Sequence, residues 1–312
     1  MSPGSTVHPE TSSVAPLPPS EAARNGPSMT TGPGDEASPR PSQTMPPRRT
    51  SFAIGPDSTQ AWHHGRVARS PWFDTHVHLD RFAVPERTGL IERAAAAEVA
   101  MIAVAVDLDS AVEVLALPES VVAGRALGLH PRGARRSFED TLAQLAEGRG
   151  VVAIGECGFD DAGPDDETQL WAFEAQCRVA RALELAVVLH IDGARAWGLL
   201  SRSAGQLDGL RVVRHYFTGD GAQAAWHRER GHYLSFGNPL RREPALQEIA
   251  RHYPAALLLI ETDSYPLPGR TTEPRDVPRV GEALAMVRGW TGAQAREQLG
   301  HNTRTAFGLA EA

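Results

Sequence analysis

From residue 72 to the end of the chain, short apolar runs alternate with longer amphipathic stretches. The apolar runs are almost uninterrupted, which is typical of strands buried on both faces. The stretches between them place apolar residues at helical spacing, as in residues 168–185. This alternation predicts a parallel sheet whose strands are connected by helices. The predicted strands are Trp72–Thr75, Met101–Val106, Val121–Leu129, Val151–Ile154, Ala186–Leu189, Arg211–Arg214, Tyr233–Phe236 and Leu257–Ile260.

Eight strand–helix units in about 240 residues favour a closed (β/α)₈ barrel, an α/β fold of the TIM type. The structural alternative is an open, doubly wound sheet. That fold needs a glycine-rich phosphate-binding loop after its first strand. The chain instead has Asp74-Thr75-His76-Val77-His78 at this position, so the barrel is preferred.

The first 70 residues have a different composition. Eleven of the 24 prolines lie within residues 1–50, together with many Ser, Thr and Gly residues and no hydrophobic period. Such a segment cannot bury enough apolar surface to offset the entropy lost on ordering. We therefore predict a disordered tail over residues 1–70 and a barrel domain over residues 71–312.

All 31 basic residues are arginine. The absence of lysine from the sequence excludes Schiff-base lysine chemistry, a phosphate-loop lysine and a metal bridge made by a carboxylated lysine. The formal net charge of −7 gives no global electrostatic reason to bind nucleic acid.

Cellular location can be predicted only from negative signals. The two cysteines, Cys157 and Cys177, cannot form a disulfide framework for a chain of 312 residues. No apolar run approaches the roughly 18 residues that a membrane span needs. We therefore predict a cytoplasmic protein that does not contact membranes, and we favour a monomer.

Six side chains of metal-binding type follow or end five of the predicted strands. They are His76 and His78 (first strand), Glu156 (fourth), His190 (fifth), His215 (sixth) and Asp263 (eighth). In a (β/α)₈ barrel the carboxyl ends of all strands meet at one mouth, where active sites are built. The pattern therefore predicts a single site formed by all six residues.

Imidazole and carboxylate groups suit zinc, manganese or iron, and carboxylates also suit magnesium. In a chain without lysine, a carboxylate such as Glu156 must bridge any pair of cations. Two cations about 4 Å apart would lower the pKa of a shared water and clamp a phosphate oxygen. Each residue taken alone also fits a structural role, because a single histidine or aspartate at a strand end often only caps a turn. We expect a centre of two divalent ions: magnesium, manganese or zinc.

Taken together, these motifs resemble the TatD family of metal-dependent DNases, which belongs to the amidohydrolase-like barrels. The matching segments are FDTHVHLD (73–80), GLHP (128–131), IGECGFD (154–160), VLH (188–190), HYFTG (215–219), YLSFG (233–237), ETDS (261–264) and NTRTAFGL (302–309). The resemblance implies one metal held by His76, His78, Glu156 and Asp263. It implies a second metal held by Glu156, His190 and His215.

The resemblance also implies the reaction. Family members hydrolyse DNA phosphodiester bonds, often from the 3′ end, so single-stranded DNA or 3′ ends are the expected substrate. We expect a hydroxide shared by the two metals to attack phosphorus. In this mechanism Glu156 and Asp263 are the catalytic residues, with Asp263 orienting the nucleophile and accepting its proton.

Two departures from the family pattern concern the substrate. The family usually carries an arginine shortly after the fifth-strand histidine, where this chain has His190-Ile191-Asp192. A second histidine often follows GLHP, where this chain has Arg132. His130 and Arg132 are candidate substrate contacts, although the arginine-rich stretch could also be a solvated loop. The same metal site could act on a small ester, amide or phosphate ester, and a barrel that binds without catalysis is a third hypothesis.

Overall fold

The computed structural model describes residues 70–267 and 272–310, so all of the predicted disordered tail except its last residue lies outside these ranges. In the described part, eight parallel strands pair in chain order, from β1 to β8. After β8, backbone hydrogen bonds join Asp263 to His76 and His78 to Ser264, so the last segment meets the first strand. The structure is a nearly closed (β/α)₈ barrel, as the sequence predicts.

The strands are β1 Trp72–Val77, β2 Val99–Val104, β3 Gly124–Leu127, β4 Val151–Asp160, β5 Ala186–Asp192, β6 Val212–Arg214, β7 Tyr233–Phe236 and β8 Leu258–Ile260. The helices are α1 Val84–Ala96, α2 Leu108–Leu115, α3 Glu139–Ala146, α4 Asp166–Ala182, α5 Ala194–Arg202, α6 Gly221–Glu229, α7 Pro244–His252, α8 Val277–Arg288 and α9 Gly292–Phe307. Within the described ranges, no helix is both long and apolar enough to cross a bilayer.

Each predicted apolar run corresponds to one strand, but the boundaries differ. The largest difference is in β4, which was predicted to end at Ile154 and continues to Asp160. Its polar second half pairs with β5 from Cys157 onward, after a register shift that follows Ile154. Glu156 therefore lies inside a strand and does not follow one, and His76 likewise lies within β1. The strand continues past the end of the apolar run because its backbone pairs with β5.

The strands separate two apolar clusters. In β2, Met101 and Ala103 belong to the large cluster between the sheet and the helices. Their neighbours Ile102 and Val104 belong to a smaller cluster, which also includes Phe307 of α9. Because successive side chains of a strand point to opposite faces, the smaller cluster fills the barrel. This packing fixes the strand ends that carry the polar residues.

Replacing Asn302 with alanine should lower the free energy of unfolding by about 3 kcal/mol. Asn302 of α9 is buried, and its Nδ2 donates to the carbonyl oxygens of Ala255 and Leu258 at 2.7 and 2.8 Å. The alanine variant leaves these acceptors without a donor at the base of β8. Urea unfolding measures the change, with Glu297→Ala on the exposed face of α9 as the control. Equal stability of the two variants would show that this side chain does not hold α9 to β8.

Candidate metal centre

The six side chains predicted to form a metal site lie together at the carboxyl-terminal mouth of the barrel. They are His76 in β1, His78 after β1, Glu156 in β4, His190 in β5, His215 after β6 and Asp263 after β8. All except His76 line a cavity of about 990 Å³, and His76 is fully buried. The convergence that the sequence predicts is therefore present in the fold.

One half of the cluster is formed by both histidines of the first strand region and Asp263. Nε2 of His76 lies 3.1 Å from Nε2 of His78. Oδ1 of Asp263 lies 3.9 Å from the first of these nitrogens and 3.4 Å from the second. Oε1 of Glu156 lies 3.4 Å from His78 Nε2. Two nitrogens and two carboxylate oxygens thus face one small volume.

The other half is formed by His190 and His215. Nδ1 of His190 lies 3.0 Å from Nε2 of His215. Oε2 of Glu156 lies 3.3 and 2.9 Å from these two nitrogens, respectively. The carboxylate of Glu156 therefore faces both halves, and its Oε2 also lies 3.7 Å from Nε2 of His76.

The donor atoms fit divalent cations. Oε2 of Glu156 is buried and lies within 3.7 Å of ring nitrogens from three histidines, yet it forms no hydrogen bond among the described residues. A shared cation requires donor atoms that face one another. Here ring nitrogens face one another, and a buried carboxylate oxygen lies among them without a hydrogen bond to any described residue. The mixture of imidazole and carboxylate donors suits zinc or manganese, and the carboxylates suit magnesium.

Electrostatics in the cluster follow from its burial. Burial alone would raise the pKa of Glu156, but His215 and His76 hold that pKa well below its usual range. Burial alone would lower the pKa of His215, but Glu156 and Glu261 raise it to about 10. In the same way Asp263 and Glu156 raise the pKa of His78 to about 9. The carboxylate of Glu156 is therefore ionised and attracts positive charge.

Contacts outside the cluster orient three of the rings. His190 Nε2 lies 3.1 Å from Oδ2 of Asp160, and His78 Nδ1 lies 3.0 Å from the carbonyl oxygen of Val104. His215 Nδ1 lies 3.3 Å from Oε1 of Glu261. Such partners fix which ring nitrogen faces a metal.

Glu261 and Asp74 were missed by the sequence analysis. Glu261 is fully buried and accepts a hydrogen bond from the backbone N–H of Tyr216 at 2.7 Å, as well as contacting His215. Asp74 is also fully buried and accepts from the backbone N–H of Thr262 at 2.9 Å, which holds the segment leading to Asp263. The signal available in the sequence was a carboxylate within or directly after an apolar strand.

The two candidate substrate contacts, His130 and Arg132, both line the cavity. The ring of His130 lies 4.4 Å from the ring of His190, and burial lowers the pKa of His130 to about 4. Nε of Arg132 donates to Oδ2 of Asp160 at 2.7 Å. Arg81, Arg135 and Arg214 line the same cavity, so with Arg132 the mouth carries four arginines.

A (β/α)₈ barrel with histidines and carboxylates clustered at its mouth defines a metal-dependent hydrolase. The model of the TatD family, described as TatD related DNase, matches residues 73–308. The chain therefore belongs to the TatD family.

Curated relatives of this chain fall within the same class. An Escherichia coli protein named uncharacterized metal-dependent hydrolase YjjV is 31% identical over 257 residues, which cover 76% of this chain and 98% of that protein. A Citrobacter koseri protein named 3′-5′ ssDNA/RNA exonuclease TatD is 33% identical over 204 residues, which cover 59% of this chain and 77% of that protein.

Solved structures of related proteins share the fold. The crystal structure of the Escherichia coli YjjV protein superimposes with a TM-score of 0.68 at 29% identity, covering 77% of this chain and 98% of that one. A TatD family hydrolase from Entamoeba histolytica superimposes with a TM-score of 0.66 at 17% identity, covering 76% of this chain and 98% of that one. The second likeness concerns the fold alone.

Proposed function

We propose that this protein is a deoxyribonuclease that hydrolyses phosphodiester bonds of single-stranded DNA from the 3′ end. The observation that carries the proposal is the gathering of four histidines with the carboxylates of Glu156 and Asp263 at the barrel mouth. Four arginines line the same cavity and favour an anionic substrate. A relative 33% identical in sequence is named as a 3′-5′ exonuclease of single-stranded DNA and RNA, which supports the same substrate class.

The two halves of the cluster suggest how two cations would be held. His76, His78, Glu156 and Asp263 would hold one, and His190 and His215 would hold the second together with Glu156. Divalent cations bound there would lower the pKa of a water molecule and offset the negative charge that develops on the phosphate. We propose that the activity resides in residues 71–312.

Asp263 is the proposed proton acceptor. Its side chain is partly exposed to the cavity, with 18% of its surface accessible. Burial alone would raise its pKa, but His78 and His76 lower it to about 2, so the carboxylate is ionised at neutral pH. It can therefore orient the attacking water by a hydrogen bond and take the proton as the oxygen–phosphorus bond forms.

The phosphate groups of the substrate are expected to contact the arginines. Arg132, Arg81 and Arg135 line the cavity, and each guanidinium can donate two parallel hydrogen bonds to a phosphate. These contacts would position the strand against the site where Glu156 and the histidines would hold the cations. The bond that breaks joins phosphorus to the 3′ oxygen of the remaining strand. That oxygen takes up a proton from solvent and departs as an alcohol, and the phosphate stays on the 5′ oxygen of the released nucleotide.

The test is hydrolysis of a 5′-labelled single-stranded oligonucleotide by the full chain with Mg²⁺, Mn²⁺ or Zn²⁺. We expect a ladder of products that shortens stepwise from the 3′ end and slower cleavage of a blunt duplex. The second candidate function is hydrolysis of a small ester, amide or phosphate ester, which the exposed carboxylate of Asp192 at the mouth favours. Turnover of small chromogenic esters without any cleavage of DNA would overturn the first proposal and support the second.

If the arginines hold the DNA backbone, the Michaelis constant should rise with salt concentration. We expect Arg135→Gln to raise KM on single-stranded DNA several-fold and to reduce the slope of log KM against log salt by about 0.7–1. Arg202→Gln is the control, because this exposed arginine pairs with Asp166 and does not line the cavity. A Michaelis constant that does not change with salt concentration would show that the arginines do not bind the phosphates of the strand.

A further inference from the structure

Arg132 lies directly beside the candidate metal centre. Its Nε donates to Oδ2 of Asp160 at 2.7 Å, and the same oxygen lies 3.1 Å from Nε2 of His190. The guanidinium and a ring of the metal centre thus contact a single oxygen atom. Arg132 also lines the cavity onto which the centre opens, so a phosphate that enters this cavity would meet its guanidinium.

A second carboxylate competes for this arginine. Oδ2 of Asp192 lies 3.4 Å from Nη2 of Arg132, and both residues line the cavity. The side chain of Asp160 is 1% exposed, whereas that of Asp192 is 64% exposed. Asp160 therefore anchors the guanidinium, and Asp192 supplies a negative charge at the point where a phosphate would approach it.

The backbone holds Asp192 in this position. Asp192 is the last residue of β5 and pairs in register with Asp160, and its carbonyl oxygen accepts a hydrogen bond from the backbone N–H of Asp161 at 2.8 Å. Gly193 follows with a φ of 104°, and a Cβ there would lie 2.1 Å from Cγ of Asp161. Because only glycine fits this turn, the backbone position of Asp192 is fixed, and its carboxylate can move only by side-chain rotation.

Hydrolysis of a phosphodiester changes the charge next to this pair. A diester phosphate carries one negative charge, whereas the monoester that is released carries nearly two above pH 7. A fixed carboxylate repels the doubly charged product more strongly than the singly charged substrate. We infer that Asp192 is a specificity-determining residue that biases the phosphate position at Arg132 toward diesters and promotes release of the monoester product.

The inference rests on the proposed function and is tested by equilibrium binding, which needs no turnover. The probes are 2′-deoxyadenosine 5′-monophosphate and its monomethyl phosphate ester, which differ by one charge. Binding to the manganese-loaded full chain is measured by calorimetry at pH 8. We expect Asp192→Asn to tighten the monophosphate about three- to eight-fold and the methyl ester only about two- to three-fold, because the repulsion scales with the charge of the probe.

Glu167→Gln is the matched control. Glu167 also pairs with an exposed arginine, Arg136, at 2.6 Å, and its removal changes the net charge equally, but it does not line the cavity. We expect the Glu167→Gln variant to bind both probes with the same affinities as the wild type. In 0.5 M NaCl the selectivity gained by Asp192→Asn should shrink, because exposed charges are screened.

The outcomes separate the two proposals. Equal tightening of both probes by Asp192→Asn, or no tightening of either, would overturn the role of Asp192. Failure of the wild type to bind either probe would overturn it as well. A selective change in affinity together with no cleavage of any oligonucleotide would leave charge selection at Arg132 standing and would reject the nuclease proposal.

Discussion

Replacing Glu156 with glutamine is expected to lower the rate of DNA hydrolysis by at least about a thousand-fold. Glu156 is 3% exposed, and its two oxygens face the two halves of the cluster, 3.4 Å from His78 and 2.9 Å from His215. A glutamine keeps the shape but loses the charge, and its amide nitrogen would face ring nitrogens in place of an oxygen. Both cation positions should weaken together, so bound metal should fall along with kcat.

Steady-state kinetics and metal analysis of the purified variant measure the effect. Glu248→Gln is the control, since Glu248 is an exposed glutamate in α7, on the outside of the barrel. Thermal unfolding followed by circular dichroism establishes that both variants are folded. Retention of more than about a tenth of the wild-type rate by Glu156→Gln would rule out a bridging role for this carboxylate.

The fold could be predicted because a parallel barrel is buried on both faces. Strands such as β5 read as continuous apolar segments, and Val187, Val188 and Leu189 are all fully buried. The number of these apolar segments and their spacing along the chain then favour a closed (β/α)₈ barrel. The gathering of the six polar side chains at one mouth follows from that architecture, because parallel strands all end at the same side.

Other features of the site depend on pairing between strands, which no local pattern records. The extension of β4 past Glu156 depends on its ladder with β5. Buried acids such as Asp74 and Glu261 read as ordinary polar residues near strand ends until the fold brings Thr262 and His215 to them. The contacts of Arg132 with Asp160 and Asp192 join residues 28 and 60 positions apart in sequence.

A barrel that binds a partner without catalysis would be expected to have a damaged metal-binding site. Loss of catalysis would leave one or more of the metal-binding positions replaced or dispersed. The chain instead keeps four histidines and two carboxylates with their donor atoms within about 4 Å of a neighbour, and it belongs to a family of metal-dependent hydrolases. The arrangement therefore favours an enzyme.

Removing divalent cations with EDTA is expected to abolish hydrolysis and to lower the thermal stability of the barrel. The donor atoms come from β1, β4 and β5 and from the segments that follow β1, β6 and β8. Bound cations would therefore join strands on opposite sides of the barrel. Binding at a free concentration 100 times Kd adds about 2.7 kcal/mol of stability for each site. Activity should return when Mn²⁺, Mg²⁺ or Zn²⁺ is added in excess of the chelator.

A variant that lacks the centre distinguishes loss of bound metal from other effects of the chelator. In the double variant His76→Ala/His190→Ala each half of the cluster loses a ring, so EDTA should leave its melting temperature unchanged. For the wild type, calorimetric unfolding with and without EDTA should show a decrease of several degrees. Hydrolysis that survives exhaustive chelation would refute the metal assignment.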